Sequence, residues 1–491
     1  MRYVSQANVK KHLYHFATLV LLFFLNSACT LSAQISSLEN KSTETEVLPA
    51  IKSLHHFSFD DAPSSIVVGT PFQIHISAKD ENNITKTDFE GSITFTSNDP
   101  GAPVLPSSYT YSQTDQGQKL FSFQLNTVGT YSITVTEASS SITETVFISV
   151  TSIPVQKTFL FMNDMGTTKQ IMCYNFNNTT GAMLPLSQTA VPNLGGYVTI
   201  HPTKNFVYAI ANTKVYGFSV NANCTLTPVP NSPFTLAVNS YHEALDFHPS
   251  GKFIYVSEDS TSVEGLAIDQ TTGEMSFVPG NPFYVGAGTW PMRVSFSPDG
   301  TNLYTANQGT NSVSGYSVNL STGNITALAG SPYTATKGAY YIMTSPDGKN
   351  IITADRELGT GWTSFARETD GKLSAPQFFS QGSGFLQSDI TSDGKTIFSA
   401  AYDTGNIHIV KRDVLTGFLS AASPVSIAAG TNPFGLVVSP LDKFVISTAY
   451  TGKQINIFSY NPVAQTLTPA TTLVFPPSYT PTGLKIKTFT F

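Results

Sequence analysis

A few short constellations in the sequence have the residue types for chemistry. His242-Glu243-Ala-Leu-Asp246 has the spacing of a zinc-protease helix, where two histidines four apart bind metal and the glutamate acts as base. Asp246 stands where the second histidine is needed, and the segment reads as a strand. Gly394-Lys395-Thr396 looks like the end of a phosphate loop, but Asp389 occupies the place of that loop's first glycine. An Asp-Gly hairpin turn accounts for the same residues. His201 and His248 share one position of a repeat that Ser or Thr fills elsewhere, so they belong to its turn and not to a metal site. Asp80, Glu81 and Asp99 are spaced for turns rather than for calcium, which needs a dense run of carboxylates. Cys173 and Cys224 have no metal-type spacing; they could pair in an oxidising compartment, though two free thiols is the plainer reading. The sequence therefore predicts no metal, no cofactor and no self-evident catalytic set.

What remains suits binding. Repeat arithmetic, given below, places His242, Glu243, Glu258, Asp259, Trp290, Arg293, Gln308, Asp355, Arg356, Glu357, Trp362, Tyr402, Asp403 and Tyr450 on one face. Aromatics mixed with charges are the composition of a binding rim. The competing reading is that Trp290 and Trp362, the two tryptophans of the protein, pack inside.

The elements that would position these residues are strands. Of 491 residues only 12% are charged and 41% are apolar, which excludes a disordered chain. With 26 Lys+Arg against 32 Asp+Glu the chain is acidic, which excludes an ordinary nucleic-acid binder. Tyr and Phe are abundant beside Gly and Pro, as in many short strands joined by tight turns.

Residues 1–28 read as a leader. Arg2, Lys10 and Lys11 precede an apolar run from Phe16 to Leu25, too short to span a bilayer but suited to a signal-peptide core. Asn26-Ser27-Ala28-Cys29 resembles a loose bacterial lipobox of the spirochaetal kind, which implies lipidation of Cys29 and anchoring through acyl chains. The alternative is a secretory signal cleaved near Ala28 or Ala33. Losing the leader leaves 23 basic residues against 32 acidic ones, so anionic lipid adds little attraction. Residues 29–53 are Ser/Thr/Glu-rich and aperiodic, a flexible tether.

Residues 54–152 show alternating strands, among them 72–77, 92–96, 119–125, 130–135 and 146–150, spaced as in a β-sandwich. Val68-Gly69-Thr70-Pro71-Phe72, Ala78-Lys79-Asp80, Phe89-Glu90-Gly91, Phe95-Thr96-Ser97-Asn98-Asp99-Pro100 and Val128-Gly129-Thr130-Tyr131 resemble a bacterial immunoglobulin-like surface domain. That resemblance implies a spacer or adhesive module.

From residue 153 to 491 the chain repeats a turn followed by a strand. Examples are His248-Pro-Ser-Gly-Lys-Phe-Ile-Tyr255, Ser297-Pro-Asp-Gly-Thr-Asn-Leu-Tyr304 and Ser345-Pro-Asp-Gly-Lys-Asn-Ile-Ile352. The second residue of this turn falls at 202, 249, 298, 346, 392 and 440, a period of 46 to 49 residues, which means a solenoid or propeller. Four strands fit each unit, and third strands recur seven times, so the prediction is a seven-bladed β-propeller. A second strand at 158–162 and a first strand at 483–487 would complete one shared blade and leave no open edge. The fold class expected is all-β, an immunoglobulin-like β-sandwich followed by that propeller.

The order of third strand, Thr-Gly turn and Ser-Pro-Asp-Gly-x-x-x-Tyr resembles the lactonase-type propellers, with their related YVTN-repeat surface proteins, over about 155–491. The resemblance implies an Arg-His pair after a Pro in one first strand. Here Met292 falls where the Arg belongs and Arg293 where the His belongs. The family's Glu corresponds to Gln308, and its His in the preceding blade to Glu243, with His242 one place off. A slip of one residue on a regular strand would turn His242 and Arg293 to the opposite face. The whole arrangement resembles two-domain surface lipoproteins of spirochaetes. The expected function is a non-catalytic protein lipid-anchored to the outer membrane and surface-exposed, binding a protein or glycan partner. An exported lactonase is the alternative.

Overall fold

The computed structural model describes residues 53–286, 288–335, 337–357 and 361–491. The leader with Cys29, and the tether apart from Ser53, lie outside these residues. The described chain divides into two compact units between Ile153 and Pro154.

In the first unit, His56–Phe59, Phe72–Lys79 and Gln118–Phe123 form one antiparallel sheet. A second sheet runs in the order Ser65–Val67, Thr143–Thr151, Gly129–Glu137, Ser92–Ser97, Tyr109–Thr110, with its first pair parallel. Strand side chains alternate between faces, so Ile74, Ile76, Phe121 and Phe123 of one sheet meet Ile93, Phe95, Ile133, Val135 and Ile148 of the other in one core.

In the second unit the described residues form seven sheets, each led by four antiparallel strands. Blade 1 contains Gln156–Asp164, Gln170–Phe176 and Met183–Ala190, and its innermost strand is Pro481–Thr490 from the far end of the chain. The innermost strands of blades 2 to 7 are Val198–Ile200, His242–Phe247, Pro291–Phe296, Ala339–Thr344, Phe385–Ile390 and Pro433–Val438. Each touches the next, and Pro481–Thr490 touches both Val198–Ile200 and Pro433–Val438, so the ring is closed. The shared blade expected from the leftover strands is the one that closes it.

The repeat motif explains how blades adhere. In blades 2 to 4 the repeat turn leads to a tyrosine that donates its hydroxyl to a glycine carbonyl in the Thr-Gly-type turn of the next blade. Tyr208 reaches Gly273 at 2.7 Å, Tyr304 reaches Gly371 at 2.6 Å, and Tyr255 bonds Gly323. On the same side Arg367 pairs with Asp299 and Arg412 with Asp347, both at 2.9 Å. Turn and tyrosine are thus one interblade joint seen twice in the sequence.

His201 and His248 serve this joint too. Each Nδ1 accepts a backbone N–H, from Lys204 at 3.0 Å and Ser250 at 3.1 Å, while Nε2 donates to Gln270 Oε1 at 3.2 Å and to Gly300 O at 3.0 Å. Both rings are therefore neutral, and burial lowers the pKa of His201 to about 4 and lowers that of His248. Unfolded histidines protonate near pH 6.5 whereas these do not, so the unfolded chain binds more protons below that pH. Stability is full above pH 6.5 and falls as the pH drops towards 4. By pH 5 His201 alone should account for a loss of about 2 kcal/mol. Urea titrations at pH 7 and 5 should show this slope, and it should flatten in His201→Gln, a comparison in which the contributions of the carboxylates cancel.

The expectation of two free thiols is corrected. Cys173, in blade 1, and Cys224, in a turn of blade 2, form a disulfide with Cα atoms 6.4 Å apart. Both lie buried in one cluster with Phe159, Phe161 and Val198. Their separation of 51 residues hid this, because one period in sequence is one neighbouring blade in space.

Candidate functional site at the propeller channel

The innermost strands line the channel, and all but Val198–Ile200 break step at the same place. Pairing jumps between His242 and Ala244, between Pro291 and Arg293, and between Ala339 and Tyr341. The same shift recurs near Phe385, Pro433 and Pro481. One extra residue at each point is a β-bulge, which resets which side chains face inwards. Bulged residues include Glu243, Met292 and Tyr340.

Residues beyond the bulge fall at fixed offsets from the repeat turn. Five before its second residue stand Tyr197, Arg293, Tyr341 and Gln387; three before it stand Asp246 and Asp389, with Lys485 matching them in blade 1. All of these except Asp389 line one small space of about 50 Å³. The expectation that a slip turns Arg293 away from the channel is thereby corrected, since the bulge at Met292 restores its direction. His242 precedes its bulge and stays out: it is buried, with Nε2 3.2 Å from Glu264 Oε1 and Nδ1 3.1 Å from Asn212 O.

Arg293 dominates the channel. Its guanidinium carbon lies 3.1 Å above the centre of the Tyr197 ring and 5.5 to 5.7 Å from those of Tyr341 and Tyr340. Such stacking stabilises a cation against a ring's negative face. Its Nε and Nη2 are buried without a hydrogen-bond acceptor from the protein, and water in the small space can supply one. Burial raises the pKa of Glu243, opposed by the nearby Arg293 charge. Burial likewise raises Asp246 and Asp389, opposed chiefly by Lys485 at Asp246 and by the Val438 N–H at Asp389. The Tyr197 hydroxyl is pushed up to about 12 by burial.

The other candidates divide. Glu258 is buried and bonds Ser240 Oγ at 2.7 Å as well as Ser262, so it fastens its loop. Asp355 is buried at the end of its strand. Trp362 is fully buried, stacked 4.3 Å from Phe385 with its Nε1–H towards Ser399 Oγ at 3.2 Å. On the rim are Arg356, paired with Asp403 at 2.5 Å and lying 5.4 Å over Tyr402, and Tyr402, which adjoins Tyr450 at 6.1 Å. Gln308 is half-buried there, Asp259 and Glu357 are exposed, and Trp290 is 51% exposed. One tryptophan therefore packs inside and the other does not. Tyr197, Tyr340, Tyr341 and Lys485 escape selection from sequence, and Asp246 and Asp389 enter there only as residues that break two motifs, although their fixed offsets from the repeat turn are a usable signal.

Chemically, Glu243 beside Arg293 supplies a base and a cation. Opening a lactone needs both, aimed at a bound carbonyl with an activated water. The space beneath Arg293 has room for only a few waters, and the tyrosines fill the rest.

The family model described as "Lactonase, 7-bladed beta-propeller" matches residues 156–335. Among solved structures, a proposed 6-phosphogluconolactonase from Bacteroides fragilis is 20% identical, with a TM-score of 0.58, covering 67% of this chain and 98% of its own. The periplasmic gluconolactonase of Pseudomonas aeruginosa is 17% identical, with a TM-score of 0.58, covering 68% of this chain and 99% of its own. No curated protein matches the chain. The second unit thus has the lactonase-like seven-bladed fold, and at this identity the likeness extends to fold alone.

Proposed function

We propose that this chain is an exported protein, lipid-anchored through Cys29 to the bacterial outer membrane, that acts by binding a protein or glycan partner and not by turnover. In this reading it is a surface lipoprotein of the spirochaetal type, and its first unit is an immunoglobulin-like spacer, supported by two sheets facing one core. The observation that carries the non-catalytic part is the packing of the channel. Arg293 lies over the Tyr197 ring among Tyr340 and Tyr341, and the space they leave, about 50 Å³, is too small for a lactone. Met292 and Gln308 at the family's Arg and Glu positions agree with it.

Lactone hydrolysis is the second reading, favoured by the family match over blades 1 to 4 and by Glu243 beside Arg293. Purified protein should hydrolyse neither 6-phosphogluconolactone nor a muconolactone above the spontaneous rate. Turnover that is lost in both Glu243→Gln and Arg293→Met would overturn the binding reading.

A further inference from the structure

In blades 3 to 7 the rim residue just ahead of the innermost strand holds one recurring backbone bond. The carbonyl of residue 241, 290, 338, 384 or 432 accepts the N–H of Asp259, Gln308, Arg356, Tyr402 or Tyr450 respectively, at 2.8 to 3.1 Å. Blades 5, 6 and 7 fill this position with Gly338, Gly384 and Asn432, at φ of 76°, 73° and 56°. These are the residue types that tolerate a left-handed backbone. Blade 4 adopts the same conformation with a tryptophan: Trp290 has φ of 46°. A bulky residue there is a genuine outlier, held because Trp290 N bonds Ser260 O at 3.1 Å and Gln308 N bonds Trp290 O at 3.1 Å. Burial does not repay that strain, since half of the indole faces solvent. The neighbouring blade carries Tyr241 at the matching position, 47% exposed.

The geometry points to a carbohydrate site on blades 3 and 4, with Trp290 and Tyr241 as stacking surfaces for neutral pyranose rings. This rests on the binding reading above and selects a glycan within it. The recurring backbone bond joins the main chain of each aromatic to that of a residue with a planar hydrogen-bonding side chain: Tyr241 to Asp259 and Trp290 to Gln308. A pyranose offers a C–H face of slight positive charge to the negative face of an aromatic ring. Its adjacent hydroxyls match the two oxygens of a carboxylate, or the oxygen and NH₂ of an amide. Charge disfavours an acidic sugar, because two carboxyl groups, Glu243 and Asp259, stand near Tyr241 against one cation, Arg293, which lies over the Tyr197 ring in the channel. Two stacking positions on adjacent blades favour an oligosaccharide over a single sugar.

The protein carries its own probe, because Trp362 is buried and Trp290 is the exposed tryptophan. Neutral gluco-, galacto- and manno-oligosaccharides, sialylated and uronate oligosaccharides, and matrix and serum proteins would each be titrated into residues 30–491. At least one neutral oligosaccharide should saturably blue-shift the emission and halve its quenching by acrylamide. Trp290→Gly, which relieves the backbone, should keep or raise the melting temperature while weakening binding by calorimetry at least tenfold. Tyr241→Ala should weaken it severalfold. If no neutral oligosaccharide up to 10 mM (on the order of the weakest useful affinities) protects Trp290, the inference fails. It fails likewise if acidic sugars or proteins bind instead, and in those cases the binding reading stands. Lactone turnover would remove that reading as well.

Discussion

A chain ending at Thr480 will not form a propeller. The missing strand, Pro481–Thr490, pairs along blade 1 from Asp164 back to Gln156 and is the innermost strand of that blade. It buries Leu484 and Phe489, the latter 5.6 Å from Phe159 and 6.0 Å from Phe161. Neighbouring blades depend on it as well: Thr448 Oγ1 donates to Thr482 O at 2.7 Å and Gln387 Nε2 to Leu484 O at 3.0 Å. Burying each large apolar side chain is worth about 1.5–3 kcal/mol, and the lost ladder and interblade bonds add about 1 kcal/mol each. Together they rival the whole stability of a typical domain, roughly 5–15 kcal/mol. The cut also leaves Gln156–Asp164 as a long, apolar open edge, a template for aggregation. Size-exclusion chromatography and thermal melts should show aggregates or a non-cooperative transition, and peptide 481–491 added during refolding should recover part of the monomer. A cooperative melt within a few degrees of the full chain's would refute this. Val463→Ser, at a position 93% exposed, should change nothing.

The same strand marks how far the sequence can be read. Ring closure was legible because the repeat is built from local turn chemistry. An Asp-Gly turn and a tyrosine four residues later need no distant partner to be recognised, and incomplete units at both ends then imply a shared blade. The channel was not legible in the same way. A bulge adds one residue without any marker in the sequence, yet it decides whether Arg293 faces the channel or the neighbouring blade. Regular alternation predicted the wrong direction there. The face assignment failed for a related reason. His242, Glu258 and Trp362 lie at the right end of their strands, but their side chains turn inward: His242 and Glu258 bond Glu264 and Ser262 of their own blade, and Trp362 stacks on Phe385 of the next. Trp290 was legible as a candidate but its strain was not, since φ is a property of the loop's bonds to Ser260 and Gln308.

Removing the Cys173–Cys224 bond should cost about 4 kcal/mol, the chain-entropy value for a loop of this length. The bond ties blade 1, which is assembled from both ends of the propeller, to blade 2, so it restrains the unfolded chain at the site where closure must occur. Cys224 adds a second, separable effect. It has φ of 63° in the turn where its N–H bonds Asn221 O at 2.8 Å, a conformation that disfavours a β-carbon. The double variant Cys173→Ala, Cys224→Ala should therefore lose the full amount. Cys173→Ala with Cys224→Gly should recover about 0.5–1 kcal/mol of it. Urea midpoints measured for residues 30–491, which contain these two cysteines alone, separate the two contributions. Thiol titration of the denatured, unreduced protein should find no free thiol when the chain comes from an oxidising compartment and two when it is made in a reducing cytosol. Two thiols in both preparations, or equal midpoints for oxidised and reduced protein, would show that the ring closes without this bond and would remove one support for export.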